Sequence, residues 1–169
     1  MSPESTAPAT AREAVGIFKN QSALEAALAA LKDAGFGHAD LSVLASHDSI
    51  DAAGTAETSW RDALTALVGE VKYEGPLVAS GAILLVGGAT AAAIAAVIAA
   101  ATATVAAGEF LGEVTAKPHT EAFARAVDAG SIILWVATDT AKHEETAQRI
   151  LVDNGAENVH IHERASAPA

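Results

Sequence analysis

The chain has no cysteine and a single methionine, and only 4% of its 169 residues are aromatic. Without thiols there is no disulfide framework, no thiolate nucleophile and no Cys-ligated metal. Basic residues are scarce as well: 10 Lys and Arg stand against 21 Asp and Glu, for a formal net charge of -11. A polyanion of this kind is repelled by phosphate backbones and by anionic lipid head groups. The balance argues against nucleic acid as a partner and against docking to lipid by charge alone. The opening stretch MSPESTAPATAREAVG lacks a basic segment followed by an apolar run, so no secretory signal is expected. No GxGxxG or Walker pattern occurs, and no serine sits in a nucleophile elbow. Together these absences predict that the protein is not an enzyme.

What the chain does have is alanine, concentrated in the middle, with two similar halves on either side. The first half opens with the apolar run AVGIF. It continues into NQSALEAALAALKDAGFG, where Leu24, Leu28 and Leu31 recur at helical spacing. Ser22 followed by Glu25 reads as a capping box, and Gly35 as the stop. LSVLAS then reads as a strand. The last third repeats the plan. SIILWVAT is a strand, Asp139 is placed to cap TAKHEETAQRILVDNG, Gly155 is its stop, and VHIHE closes as a short strand. Two strand–helix–strand units predict an α+β fold, a ferredoxin-like split βαβ sandwich with β-strands one and three in the centre.

In SIILWVAT, Ile132, Leu134 and Val136 alternate with Ile133 and Trp135, so both faces of this strand are apolar. Two helices cover one face; the other needs a cover from an inserted segment, a partner subunit or a ligand. SWRDALTALVGEVKYEG, with Trp60, Leu64, Leu67, Val68 and Val71 on one helical stripe, is a candidate for that cover. TEAFARAVDA, from Thr120 to Ala129, reads as a further amphipathic helix.

Between these lie 34 uncharged residues, Gly75 to Gly108, of which fourteen are alanine and ten are large aliphatics. Gly88, Ala92, Ala96, Ala100, Thr104 and Gly108 recur at every fourth position, a ladder of small side chains that lets two helix backbones approach closely. Ala91, Ala95, Ala99, Ala103 and Ala107 form a second ladder beside it. A helical hairpin cut from this segment would have arms of about 15 residues, or roughly 22 Å, against a hydrocarbon core of roughly 30 Å. The segment therefore predicts a homo-oligomer, either at the membrane through a shallow or re-entrant hairpin or in solution with the hairpin as its dry core. The boundaries read as a disordered arm over 1–12, the first βαβ half over 13–47, and a linker with an amphipathic helix over 48–74. The hydrophobic helical hairpin follows over 75–112, the second half over 113–163 and a disordered tail over 164–169.

His160 and His162 alternate on the last strand and share a face. Two imidazoles at this spacing can begin a site for a divalent transition metal, with His119, His143 and Glu163 as candidates to complete it. The competing reading is an edge strand whose polar residues discourage edge pairing. Glu109 and Glu113 are one helical turn apart but lack the partner motifs of a di-iron bundle, and they read as the point where a helix leaves its apolar surroundings.

The order AVGIF, ALEAALAALKDAGF, EGPLVASG with its Gly/Ala-rich continuation, AGSIILWV and ILVDNGAENVHIHE resembles the bacterial general-stress, heat-induced protein family. The resemblance spans most of residues 14 to 163. It implies a small α/β domain interrupted by a hydrophobic hairpin and association with the membrane, in a family whose members commonly have no defined biochemical role. It supplies no catalytic residue. The hairpin here carries more alanine and fewer glycines than is usual in that family.

Overall fold

A computed structural model describes residues 10–46, 64–77, 81–100 and 119–165. They form an α+β fold with one six-stranded antiparallel sheet and about five helices. The elements are β1 (Thr10–Phe18), α1 (Gln21–Asp33), a 3-10 turn (His38–Asp40), β2 (Leu41–Ser46), β3 (Val71–Leu77) and β4 (Gly81–Gly87). They continue with α2 (Ala89–Ala100), α3 (Thr120–Asp128), β5 (Ile132–Thr138), α4 (Ala141–Asp153) and β6 (Glu157–Ala165). Residues 64–68 are also helical. The strand order is β3-β4-β2-β5-β1-β6. β1 and β5 therefore lie side by side, flanked by β2 and β6, and the inserted pair β3-β4 extends the sheet beyond β2.

The helices form where their apolar stripes can be buried, but their caps differ from the sequence reading. The amino end of α1 is held by Asn20, whose side chain accepts from the Ala23 amide at 2.9 Å; Ser22 lies inside the helix. Thr140, not Asp139, caps α4 by accepting from the His143 amide at 3.1 Å. In each case an extended residue with a short side-chain acceptor stands just before the helix, which is the geometry that satisfies an orphan amide. Asp139 pairs instead with the His143 ring. α3 follows its expected span, burying Phe123 and Val127, and is closed by the amides of Gly130 and Ser131.

Both faces of β5 are buried, as its alternation requires. Ile132, Leu134 and Val136 join the layer beneath α1 and α4, while Ile133 and Trp135 join the layer beneath α2 and α3. Leu64 and Val68 belong to the first of these layers. The helix expected to cover the second face thus packs on the first, and it ends at Gly69 (φ +122), so Val71 lies in β3 rather than on a helical stripe.

The expected helical hairpin over 75–112 is corrected in its first third. Gly75 to Leu77 lies in β3, and Gly81–Gly87 is β4, paired along Ser42–Ser46 of β2. Ile83, Leu84, Leu85 and Val86 are buried on alternating faces, so a short uninterrupted apolar run serves as a strand covered on both sides. Pro76 sits in β3, an edge strand, where the N–H it lacks has least to pair with. Only from Ala89 does the segment become helical. The arm expected over 1–12 is strand from Thr10, and the tail expected over 164–169 is strand as far as Ala165, because these residues extend the pairing of β1 with β6; residues 1–9, 101–112 and 166–169, with Trp60, Glu109 and Glu113, lie outside the described residues.

The change from β4 to α2 happens at Gly87 and Gly88. Gly87 has φ +119, and a β-carbon there would be driven into the Leu41 carbonyl oxygen and the Val68 side chain. A β-carbon on Gly88 would meet the Ala39 carbonyl. The Gly88 amide donates to the Leu41 carbonyl at 2.8 Å, which seats the joint on the start of β2. Gly87→Ala should therefore cost more than about 3 kcal/mol, since backbone overlap adds to an unfavourable φ. Gly35→Ala, at φ +99 with open space around it, should cost only about 1 kcal/mol. Urea denaturation of the two variants, compared at equal m-value, checks the contrast.

Candidate functional site

The layer between the sheet and the pair α2–α3 is mostly apolar; Ser42 and Ser46 of β2 are buried in phase with Leu44, and a further polar group lies near the β6 edge. Glu13 on β1 lies directly opposite His162 on β6, and Val15 opposite His160. Antiparallel partners share a face. Glu13 is therefore in phase with Val15 and Ile17, both of which are buried in this layer. Only 3% of Glu13 is exposed, and its carboxylate accepts from the hydroxyl of Thr90 in the first turn of α2. The amino end of a helix favours a neighbouring negative charge. The second carboxylate oxygen is buried, with no hydrogen-bond partner among the described residues.

His160 and His162 are both buried, at 9% and 7% exposure. The His160 ring stacks on that of His119, with centroids 4.1 Å apart and planes 6° from parallel. Phe123 of α3 meets it edge-on at 5.2 Å. Its Nδ1 lies 2.8 Å from the Asn158 carbonyl and donates to it in the matching tautomer. Burial holds the His160 imidazolium below its ordinary value of 6.5; the Asn158 carbonyl opposes this, and His119 and His162 add to it. His119 is the residue before α3.

This geometry brings together three of the sequence-named histidines, His119, His160 and His162, and leaves the other candidates apart. Glu163 alternates to the opposite face and pairs with Arg12 at 3.5 Å. His143 lies on α4 against Phe36, with ring centroids 5.5 Å apart. Stacked rings direct their nitrogens along parallel planes rather than toward one point. Among the described residues no three His, Asp or Glu side chains are gathered so as to hold a metal ion. The His119 and His160 rings pack face to face. Glu13 and Thr90 were not identified from the sequence. The alternation Glu13, Val15, Ile17 is the signal that places that carboxylate inside.

A second feature is a groove of about 340 Å³ where Arg12 of β1 and Thr138 of β5 pair, lined by Arg12, Phe36, Asp40, Asp139 and His143. Its charged walls already hold partners. Arg12 bridges Glu144 at 2.9 Å and Glu163, Asp139 holds His143, and Asp40 accepts from the Gly37 amide at 2.8 Å. Half-exposed pairs of this sort contribute about 0–1 kcal/mol each, and they fasten α4 and β6 to β1.

The third feature is the outer side of α2. Ala91 and Ile94 are buried on the sheet, whereas Ala92, Ala96 and Ala99 are exposed and Val97 is 39% exposed. Of the small-residue ladder, Gly88 lies in the joint before the helix and Ala92 and Ala96 face outward. The backbone of Ala100 ends the helix, and Thr104 and Gly108 lie outside the described residues. Among the described residues no helix is long and apolar enough to cross a membrane.

No protein-family model matches the chain, and neither a curated protein nor a solved structure matches it at a significant level.

The Glu13–Thr90 contact generates a test. Thr90→Val leaves a buried carboxylate without its donor and should cost about 2–4 kcal/mol. Adding Glu13→Leu removes the charge and fills the layer, so the double variant should be more stable than Thr90→Val alone. Chemical denaturation of the single and double variants gives the answer.

Proposed function

We propose that this is a non-enzymatic, self-associating protein in which the outward side of α2 packs against the same helix of other copies. In this reading the two strand–helix–strand units form a ferredoxin-like body. The biological setting is the bacterial stress response, which the family resemblance implies, with the assembly on the cytoplasmic side of the membrane. The observation that carries the proposal is that α2 is apolar all round yet buried on one side only: none of its twelve residues is charged, and Ala92, Ala96, Val97 and Ala99 face outward. A helix hydrophobic on every side is ordinarily covered on every side. Small side chains on the open flank permit the close backbone approach that helix pairing needs.

A second reading, a soluble homo-oligomer, shell or filament with the same flank as its dry core, draws on the length of α2. Twelve residues rise about 18 Å, well short of a hydrocarbon core of roughly 30 Å. Lipid contact through the described helix would be shallow, with its apolar side in the interface.

Ala96→Leu tests both readings of the contact. Ala96 is exposed, so the fold should keep its stability within about 0.5 kcal/mol while the assembly weakens at least about tenfold through steric overpacking. Sedimentation velocity over a concentration series measures it, and an unchanged oligomer would overturn the proposal. Alkaline washing of untagged membrane pellets separates the locations: retention places the flank in lipid, whereas recovery as one large soluble particle places it in protein.

A further inference from the structure

The carboxyl end of α4 holds a reactive pair that self-association through α2 does not use. Of the three asparagines in the chain, Asn20, Asn154 and Asn158, only Asn154 is followed by glycine. Glycine has no side chain to shield its amide nitrogen, so that nitrogen can approach the preceding side-chain carbonyl carbon closely. Solvent reaches the pair: Gly155 is exposed and Asn154 half-buried. We propose that Asn154 is a deamidation site that the folded chain holds closed, and that opens when the last turn of α4 comes off the sheet.

The reaction needs only water and solvent base. The Gly155 nitrogen gives its proton to base and attacks Asn154 Cγ, forming a C–N bond and closing a five-membered succinimide. The bond from Cγ to Nδ2 breaks, and Nδ2 leaves as ammonia after taking a proton from water. Water then adds to one of the two ring carbonyls and breaks its bond to the ring nitrogen. Cleavage at Cγ gives aspartate, and cleavage at the backbone carbonyl gives isoaspartate. The net change is water consumed and ammonia released.

The native geometry opposes ring closure. The Gly155 nitrogen must swing toward Asn154 Cβ, but at ψ 13 it nearly eclipses the Asn154 nitrogen instead. The side chain is also held away, because its Nδ2 donates to the Ile150 carbonyl at 2.8 Å. The attacking nitrogen is occupied: the Gly155 amide donates to the Val152 carbonyl at 3.0 Å. The next amide, of Ala156, donates to the Leu151 carbonyl at 3.0 Å, with Gly155 at φ +84 between the two bonds. This pairing is the helix-closing arrangement that satisfies the last carbonyls, and rotation about the Asn154 ψ would break it. The joint is anchored on the sheet, since Leu151 is fully buried and lies with Ala156 against Gly16 of β1. Attack therefore waits on local opening, and the folded chain reacts in proportion to the population of the open end.

The product closes less well than the asparagine. An aspartate carboxylate cannot donate to the Ile150 carbonyl, and its charge stands at the carboxyl end of α4, where the helix dipole disfavours an anion. Isoaspartate also adds a methylene to the backbone between α4 and β6.

The test follows conversion of Asn154 in the full chain by peptide mapping at mildly alkaline pH, in buffer and in denaturing urea. Conversion should be at least about tenfold faster in the unfolded chain than in the folded one. Leu151→Ala removes the buried anchor of the last turn and should raise the rate in buffer at least about threefold, with the rate in urea unchanged. Ile83→Ala truncates an equally buried side chain in β4, with β2 and β5 between it and β1, and should raise the rate less. If Leu151→Ala does not fold, Leu151→Val takes its place with a smaller rise in the same direction. No conversion in urea overturns the site, and equal rates in buffer and urea overturn its closure. A rise for Ile83→Ala as large as that for the Leu151 variant, or no rise for the latter, overturns opening at the end of α4.

Discussion

The structure depends on a sheet that is apolar on both sides. β5 lies between β1 and β2 and directs Ile132, Leu134 and Val136 one way and Ile133 and Trp135 the other. A strand of this kind is stable only when both faces are shielded from water. The two flanking halves provide α1 and α4 for one face, and α2 of the inserted segment covers the other together with α3. The alanine-rich stretch therefore has a structural duty before any question of partners arises: its first third widens the sheet as β4, and its next third, α2, turns back over the second face.

The position of that cover is fixed by close backbone contact and one buried polar bond. Gly87 and Gly88 let the chain turn sharply against Leu41 and Ala39, where a β-carbon has no room. One turn later, Thr90 donates to Glu13 across the layer. A buried carboxylate with one satisfied oxygen is expensive, and such groups persist where they specify an arrangement or serve a function. Here it ties the amino end of α2 to β1, while Val97 and Ala99 farther along the helix are exposed. The side facing the sheet is committed to the fold, and the opposite side is what the proposed assembly uses.

Much of this architecture was legible in the sequence. The periodicity of Leu24, Leu28 and Leu31, the two-sided alternation around Trp135, the amphipathic pattern of α3 and the need for a second cover all follow from residue spacing. Strand and helix could not be distinguished over Gly81 to Val86, because an uncharged run of that length satisfies a doubly buried strand as well as a buried helix, and only pairing with β2 decides. The caps shifted by one or two residues because Asn20 and Thr140 compete with Ser22 and Asp139 for the same orphan amides. Glu13 was missed because it follows Arg12 near the start of its strand, where charge suggests solvent; its phase with Val15 and Ile17 is the overriding signal. The histidines were correctly placed on one face, but their stacking on His119 depends on where α3 begins, which no local pattern encodes.

The most direct test of the central claim is a methyl–methyl and methyl–aromatic nuclear Overhauser measurement on the intact chain, with Ala91 and Ile94 labelled. If α2 is the cover of the second face, both residues must show strong cross-peaks to the layer formed by Ile83, Leu85 and Trp135, and the Ile94 amide must be protected from exchange. Cross-peaks confined to other residues of α2, with an unprotected Ile94 amide, would mean that the alanine-rich helix stands away from the sheet and that something else shields that face.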